Sequence, residues 1–241
     1  MPKAIVIIPT YNEIENIEDI IKAVFNLQQA FNILVVDDNS PDGTAFKVIE
    51  LQKNYEDRLF LEVRKEKSGL GTAYIHGFKW CLERNFDFIF EMDADFSHNP
   101  KDLPRLLEAC RNDNVDMVIG SRYIQGVNVV NWPMSRVLLS YIASIYVRFI
   151  TRMKICDTTA GFVCYKRHVL EAIDLDKIKF IGYAFQIEMK FKAYLKKFNI
   201  VEIPIVFTDR TKGESKLSGG IISEAIFGVL QMKLKSIFSK K

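Results

Sequence analysis

The chain has 241 residues with a formal net charge of +3, and 49% of its residues are hydrophobic. This length allows one large domain with a hydrophobic core, and so small a charge excess is not typical of a nucleic-acid-binding protein. No apolar stretch reaches the roughly 18 residues that a membrane-spanning helix needs. The first apolar run ends at Pro9, too early for the core of a signal peptide. We therefore expect a globular protein with no nucleic-acid partner, able to lie on a membrane without crossing it.

The four cysteines, at positions 81, 110, 156 and 164, lie in apolar segments and lack the close spacing of a zinc site or a redox motif. Free thiols packed as small hydrophobic side chains are the expected state. That expectation fits the reducing cytosol.

Short apolar runs alternate with helical patterns through the first half of the chain. The predicted strands are 4–8, 33–36, 59–63, 86–92 and 117–119, and the predicted helices are 14–31, 44–53, 71–84 and 102–111. The strands are nearly continuous in apolar residues, as is typical of parallel strands covered on both faces. This order predicts an α/β fold with a mostly parallel, doubly wound sheet, in which ligands bind at the carboxyl ends of the strands.

Polar residues follow the first, second, fourth and fifth predicted strands, in segments 9–13, 37–40, 91–95 and 120–122. The strongest single motif is the pair Asp93 and Asp95. Two carboxylates so close repel each other unless a cation or protons compensate. Mg²⁺ prefers a few carboxylates plus phosphate oxygens, and it would stabilise a departing diphosphate. The alternative for this motif is a turn that caps the helix after Pro100.

Two further segments have both a functional and a structural interpretation. Asp37 and Asp38 can bind the ribose or base of a nucleotide, or can belong to a turn before the helix that starts near Thr44. The loop 65–71 contains two lysines and two glycines that suit a phosphate, but it lacks the phosphate-loop spacing.

Arginines and wide apolar helices mark the second half of the chain. Arg122, Arg136 and Arg210 suit bidentate binding of phosphate, although a solvated arginine is the common case. The helical pattern 134–150 is apolar over too wide an arc for a simple surface helix, so it is either buried or lies in a lipid interface. A second apolar pattern ends the chain with a basic tail, which suits either a core helix or an anionic membrane surface.

Taken together, the motifs resemble those of the inverting GT-A glycosyltransferases, and more narrowly those of the dolichol- or polyprenol-phosphate mannose synthases. The similar segments are 8–13, 35–44, 69–73, 92–98, 120–123, 131–136, 157–162, 182–188 and 210–216. They cover nearly the whole chain in order. The resemblance implies a GT-A nucleotide-sugar-binding fold with amphipathic interface helices near 133–152. It places the catalytic domain at 1–215 and a C-terminal amphipathic basic helix at 216–241.

The resemblance also implies roles for individual residues. The donor would be bound by Pro9, Tyr11, Glu13, Val36, Asp38, Asp93, Ala94, Asp95, Arg122, Arg210 and Lys216. The acceptor phosphate would be bound by Arg136, Ser140, Arg122 and Arg210. A Mg²⁺ or Mn²⁺ ion would be bound by Asp93, Asp95 and Ser97, and the catalytic residues would be Asp95, Arg122 and Arg210. Glu188 belongs to the motif at 182–188 without a defined role.

The implied reaction transfers mannose from GDP-mannose to polyprenyl (dolichyl) phosphate with inversion, giving polyprenyl-phosphate mannose and GDP. Two alternatives stay open: a polyprenyl-phosphate glucose synthase that uses UDP-glucose, and a non-catalytic nucleotide-binding scaffold at a membrane. Several relatives carry transmembrane helices after the catalytic domain and this chain does not. We therefore expect a cytoplasmic protein, peripheral on the cytoplasmic face of a membrane, with its own interface helices or an anchoring subunit providing attachment.

Overall fold

A computed structural model describes residues 2–210 and 220–238 of the chain. Its strands are β1 Ala4–Thr10, β2 Phe31–Asp37, β3 Leu59–Val63, β4 Phe88–Glu91, β5 Met117–Ser121, β6 Val129–Val130, β7 Val163–Lys166, β8 Ile200–Pro204 and β9 Phe207–Thr208. Its helices are α1 Ile17–Phe25, α2 Thr44–Gln52, α3 Leu70–Glu83, α4 Leu103–Arg111, α5 Met134–Thr151, α6 Arg167–Ala172, α7 Tyr183–Leu195 and α8 Gly220–Phe238. No helix among these residues is both long enough and apolar enough to cross a membrane.

Seven strands form the central sheet in the order β3-β2-β1-β4-β7-β5-β8, and β7 alone runs antiparallel to its neighbours. Side chains of β1 alternate between two buried clusters, with Ile5 and Ile7 in one and Val6 and Ile8 in the other. Both faces of the sheet are therefore covered, which explains the unbroken apolar runs. The predicted α/β, mostly parallel, doubly wound fold is confirmed.

Two predicted element boundaries are wrong. The helix predicted at 14–31 ends at Phe25, because the backbone turns at Asn26 and the fully buried Phe31 opens β2. The apolar content of residues 201–207 also predicts a single strand, but this segment forms two, since Pro204 ends β8 and β9 then pairs with β6 instead of continuing in the large sheet. The helix predicted at 134–150 is confirmed as α5, and α8 falls within the predicted C-terminal helix. The division of the chain at residue 215 remains a prediction.

A buried polar network attaches helix α7 to the sheet. Gln186 donates to Glu91 at 2.6 Å, and Lys190 donates to the carbonyl oxygens of Ala160 (2.6 Å) and Gln186 (3.2 Å). Burial raises the pKa of Glu91 to about 7 and lowers the pKa of Lys190 to about 8. The network joins the end of β4 to the segment that precedes β7, and both carry residues of the site described below.

Candidate active site

The candidate site lies where the carboxyl ends of β1, β2 and β4 meet. The chain winds from β1 through β2 to β3 on one side and then returns to place β4 on the other side of β1. This reversal of winding direction leaves a crevice at the carboxyl ends of the strands, where α/β sheets bind ligands. All the polar segments that follow these strands therefore lie at the same edge of the sheet.

Asp95 is a buried carboxylate with two partners. Its Oδ1 accepts from the backbone N–H of Ser97 at 3.0 Å, and its Oδ2 lies 2.9 Å from Nη2 of Arg210. Asp95 and Arg210 are 115 positions apart in the sequence, yet the fold brings these two predicted catalytic residues into direct contact. Ser97 itself is buried and contributes a backbone donor to this arrangement.

Asp93 lies on the more open side of the same loop. Burial raises the pKa of Asp93 to about 7, although 36% of the side chain stays exposed, and repulsion from Asp95 acts in the same direction. Arg210 opposes the shift, while Glu91 and Glu13 add to it. Such a group of carboxylates has an excess of negative charge that a bound cation would relieve.

His98 supports Asp93 through a hydrogen bond to its backbone. Its Nδ1 accepts from the backbone N–H of Asp93 at 3.2 Å, and its ring stacks on Phe162 with centroids 5.0 Å apart. Burial lowers the pKa of His98 to about 4. The ring is therefore neutral at pH 7, as its acceptor role requires.

Asp37 and Asp38 have separate roles at the end of β2. Asp37 is fully buried and accepts from the hydroxyls of Thr10 (2.7 Å) and Ser40 (2.6 Å), so it joins the loops that follow β1 and β2. Asp38 instead binds Arg64, whose guanidinium lies 2.6 Å from its Oδ1 and also donates to Thr72 at 2.8 Å. Asp37 therefore fits the turn interpretation, and Asp38 remains the candidate for binding a ligand.

The loop after β3 contributes an arginine and a lysine to this end of the site. Arg64 fixes Asp38, and Nζ of Lys67 lies 4.4 Å from the ring centroid of Tyr11. The glycines, however, approach protein and not an open ligand site. A Cβ on Gly71 would lie 2.8 Å from the ring of Phe185 in α7, so this glycine is needed for helix packing.

Arg122 is buried at the end of β5 and binds Asp157. Its Nε and Nη2 donate to the two carboxylate oxygens at 2.7 and 2.6 Å, and Nη2 also donates to Thr159 at 2.8 Å. Burial alone would raise the pKa of Asp157, but the charge and hydrogen bonds of Arg122 lower it. Asp157 is therefore an ionised support for Arg122 inside the fold.

Arg136 lies in the first turn of helix α5 and faces the segment that carries Arg210. Its Nη1 lies 2.9 and 3.1 Å from the two carboxylate oxygens of Asp209, and its guanidinium stacks over the ring of Trp132 at 4.1 Å. Because Asp209 precedes Arg210, the start of α5 and the Asp95 site are joined through two consecutive residues. Ser140 is half-buried one turn further along α5.

The predicted site residues thus form three groups according to their place in the fold. Pro9, Tyr11, Glu13, Val36 and Asp38 lie at the ends of β1 and β2, and Asp93, Ala94, Asp95 and Ser97 follow β4. Arg122, Arg136, Ser140 and Arg210 come from the second half of the chain. Lys216 lies outside the described residues. The individual roles of these residues remain predictions.

The sequence motifs indicate no function for Arg64, His98 or Asp157. A lone arginine after a strand has no local signature, because its partner Asp38 is 26 positions away. Glu188 has a structural role: it accepts from the backbone N–H groups of Lys179 (2.8 Å) and Phe180 (3.1 Å).

Helix α5 exposes an apolar face beside the site. Only Ser144, Val147 and Thr151 of this helix are buried. The exposed apolar side chains are Met134, Leu138, Leu139, Tyr141, Ile142, Ile145 and Phe149, with Ile142 at 58% and Phe149 at 65%. Helix α8 packs against α5 and α7 and exposes Phe227, Leu230 and Leu234. The exposed face of α5 argues against a buried core helix, because a core helix would have buried these side chains.

Comparison with known proteins identifies the family. Residues 5–174 match the model of glycosyl transferase family 2. The chain is 46% identical over 233 residues to a polyprenol monophosphomannose synthase of Mycolicibacterium smegmatis, covering 97% of this chain and 88% of that protein. It is 45% identical over 232 residues to an undecaprenyl-phosphate mannosyltransferase of Micrococcus luteus, covering 96% of this chain and 94% of that protein.

A solved structure supports the fold independently. Glucosyl-3-phosphoglycerate synthase from Mycobacterium tuberculosis, in complex with Mn²⁺, UDP-glucose and phosphoglyceric acid, superposes with a TM-score of 0.71 at 15% identity. The superposition covers 97% of this chain and 80% of that one. The resemblance seen in the sequence motifs is confirmed, and the fold is that of the GT-A enzymes. The chain is a glycosyltransferase and belongs to glycosyl transferase family 2.

Proposed function

We propose that this chain transfers mannose from GDP-mannose to a polyprenyl phosphate such as dolichyl phosphate, with inversion at the anomeric carbon. The supporting observation is the likeness, over almost the whole chain, to two relatives whose names pair mannose with a polyprenyl carrier. The geometry is consistent with this proposal. The loop that carries Asp93 and Asp95, here called the carboxylate loop, lies close to Arg122, Arg136 and Arg210 and to the exposed apolar helix α5.

The guanine nucleotide would bind at the ends of β1 and β2, against Pro9, Tyr11, Glu13, Val36 and Asp38. Val36 is fully buried in the sheet, so it would act through its backbone. Asp38 is held in place by Arg64 and offers a carboxylate to an N–H group of the base. Lys216 would reach the donor phosphates from outside the described residues.

The carboxylate loop fits a divalent cation. Asp93 is partly exposed and Asp95 is fixed, and hard oxygen ligands of this kind suit Mg²⁺ and Mn²⁺. Among the described residues, no three His, Cys, Asp or Glu side chains cluster as a complete metal site. A cation bound by Asp93, Asp95 and Ser97 would therefore take its remaining ligands from water and the donor diphosphate. It would stabilise the negative charge of the leaving GDP.

The acceptor phosphate would lie between Arg122, Arg136, Ser140 and Arg210. One phosphate oxygen forms a bond to the anomeric carbon while the bond from that carbon to the GDP oxygen breaks and its electron pair leaves with GDP. A phosphate is already ionised near neutral pH, so the site needs no strong general base. The arginines contribute by orienting the acceptor and by stabilising charge as it moves.

The polyprenyl chain would leave the site along the apolar face of α5. Exposed Arg148, Arg152 and Lys154 follow this face, and such a combination of apolar and basic side chains suits an anionic lipid surface. We therefore place the protein on the cytoplasmic face of a membrane, attached through α5 and α8 or with help from an anchoring subunit. The buried free thiols of Cys81, Cys110 and Cys164 fit a reducing compartment.

The test of the function is transfer of labelled mannose from GDP-mannose to a polyprenyl phosphate in detergent with Mg²⁺ or Mn²⁺. The expected product is an organic-soluble, acid-labile mannolipid that EDTA abolishes. A parallel reaction contains UDP-glucose. Glucose transfer without mannose transfer would replace this proposal by the glucose synthase, and no transfer with either sugar, even after addition of membranes that supply partner subunits, would contradict both.

The Asp95→Ala variant tests the proposed role of the carboxylate loop. Turnover should fall by roughly a hundredfold or more, since the leaving group loses its main electrostatic support. Asp113→Ala is the matched control, because Asp113 is an exposed carboxylate in a turn away from the site. Equal activity of the two variants would remove Asp95 from the mechanism.

Flotation with liposomes tests the membrane proposal. The purified protein should float with vesicles that contain phosphatidylglycerol, and high salt should weaken the association because basic side chains contribute to it. If the protein floats with no vesicles of any charge, attachment through its own helices is wrong and an anchoring subunit becomes the remaining version.

A further inference from the structure

Trp132 lies between β6 and α5, and two arginines of the candidate acceptor site contact the same indole ring. The guanidinium carbon of Arg136 is 4.1 Å from the ring centroid and that of Arg122 is 5.5 Å from it. Phe207 packs against the ring in a T-shaped arrangement with centroids 5.1 Å apart. Both arginines are within the distance at which a cation is attracted to an aromatic ring.

Two like charges on one ring need independent counter-charges, and the structure provides them. Arg122 binds the buried Asp157, and Arg136 binds Asp209. These carboxylates come from different segments and differ in burial, since Asp157 is fully buried and Asp209 is partly exposed. Arg122 is thus anchored inside the fold, whereas the ion pair of Arg136 with Asp209 is partly open to solvent. The indole is the one described aromatic ring that both guanidinium groups share with distances under 6 Å.

The indole also carries a polar group that fits an anion. Its Nε1 is buried and has no hydrogen-bond partner within residues 2–210 and 220–238. A buried donor that stays unpaired is unfavourable, and such an atom in a native site is a common sign of a ligand that completes it. Because Arg122 and Arg136 lie next to this N–H group, the ligand that fits best there is an anion.

We propose that Trp132 is a positioning residue of the acceptor-phosphate site, which holds Arg122 and Arg136 in one layer and presents an indole N–H to the phosphate. This inference rests on the proposed function, because it assigns the anion to the lipid-linked acceptor. The acceptor's phosphate takes the place of Asp209 on Arg136. That exchange opens the ring edge to the same phosphate.

The kinetic test compares Trp132→Phe and Trp132→Leu with the wild type. Phenylalanine keeps a weaker ring and loses the N–H, and leucine loses both. The KM for polyprenyl phosphate should rise about threefold in Trp132→Phe and about tenfold in Trp132→Leu, while the KM for the sugar donor stays within about twofold. The control is Phe25→Leu, which removes an aromatic ring from Arg58 (4.8 Å) in a different part of the fold. If both KM values rise together, or if Trp132→Phe matches the wild type, the proposal fails.

A binding test needs no sugar transfer and so separates this inference from the proposed function. The chain has two tryptophans, so in a Trp80→Phe background the emission reports Trp132 alone. Farnesyl phosphate in detergent should change that emission, whereas farnesol in the same detergent should not. An equal response to farnesol would assign Trp132 to the lipid chain and overturn its assignment to the phosphate, as would no response to either compound.

Discussion

At the scale of single residues, the contact between Arg210 and Asp95 is the most informative. The guanidinium neutralises a carboxylate that would also bind the cation, so arginine and metal compete for the same oxygen atoms. Removing Arg210 should therefore strengthen metal binding even though it weakens catalysis. A residue that contributed to the metal site itself would show the opposite pattern.

The Arg210→Ala variant tests this competition through its effect on the affinity for Mn²⁺. In the absence of donor, Mn²⁺ should bind about tenfold more tightly than to the wild type, because a positive charge next to Asp95 is gone. Titration calorimetry or Mn²⁺ electron paramagnetic resonance measures it directly. Arg111→Ala is the matched control, since Arg111 is an exposed arginine paired with Glu108 on α4. Weaker Mn²⁺ binding in Arg210→Ala would show that Arg210 assists the ion.

Arg64 provides a second prediction at this scale. Lysine cannot bind Asp38 and Thr72 at the same time with the planar geometry of the guanidinium. The Arg64→Lys variant should bind GDP-mannose roughly tenfold more weakly and change kcat little, because Asp38 is proposed to contact the base and not the reacting atoms. Steady-state kinetics with varied donor measures both constants. The adjacent exposed Lys65→Met should behave as the wild type, and a fall confined to kcat would contradict the assignment.

Some of these residues can be recognised in the sequence and others cannot, because only some depend on local features of the chain. Asp93 and Asp95 are recognisable because a strand end and a like-charge pair are both local features. Arg64 and Asp157 are not, since each acts through a partner 26 or 35 positions away whose proximity only the folded chain creates. The carboxylates at the strand ends could therefore be located from the sequence, while the ion pairs that support them could not.

At the scale of elements, strands and helices with strong periodicity were predicted well and the sheet's later strands were not. β7 holds only Val163–Lys166 and runs antiparallel between β4 and β5, so its position depends on chain connections that leave no pattern in four residues. The apolar content of α5 was clear, but sequence alone allowed either a buried or a lipid-facing helix. The exposed side chains of the folded helix exclude only the buried alternative, and the sequence could not show this because burial depends on what the rest of the chain covers.

The exposed face of α5 leads to a prediction for this element. The double substitution Leu138→Glu and Ile142→Glu places two negative charges on exposed positions, so folding should be almost unchanged while flotation with anionic liposomes falls by roughly tenfold or more. Phe46→Glu on α2 is the control, since Phe46 is also an exposed apolar side chain. If Phe46→Glu reduces flotation equally, the association reflects general charge and not this helix.

At the scale of the whole molecule, the site joins the two halves of the chain. The ends of β1, β2 and β4 carry the residues proposed to bind the donor and the metal, whereas β5, α5 and the segment after β9 carry the arginines. The direct links between these halves in the described site include the Asp95–Arg210 contact. A donor that touches both sets of residues should therefore stabilise the entire fold, and not a single loop.

Thermal unfolding tests that coupling and the base preference together. A ligand that binds only the folded state at a hundred times its Kd adds about 2.7 kcal/mol. For a chain of this size that corresponds to a rise in Tm of roughly 5–10 °C. GDP with Mn²⁺ should produce this rise, EDTA should reverse it, and UDP with Mn²⁺ at the same concentration should produce a smaller one, since the proposed pocket at Tyr11 and Asp38 is assigned to guanine. A larger rise with UDP would contradict the GDP-mannose assignment, and a rise with GDP that survives EDTA would separate nucleotide binding from the carboxylate loop.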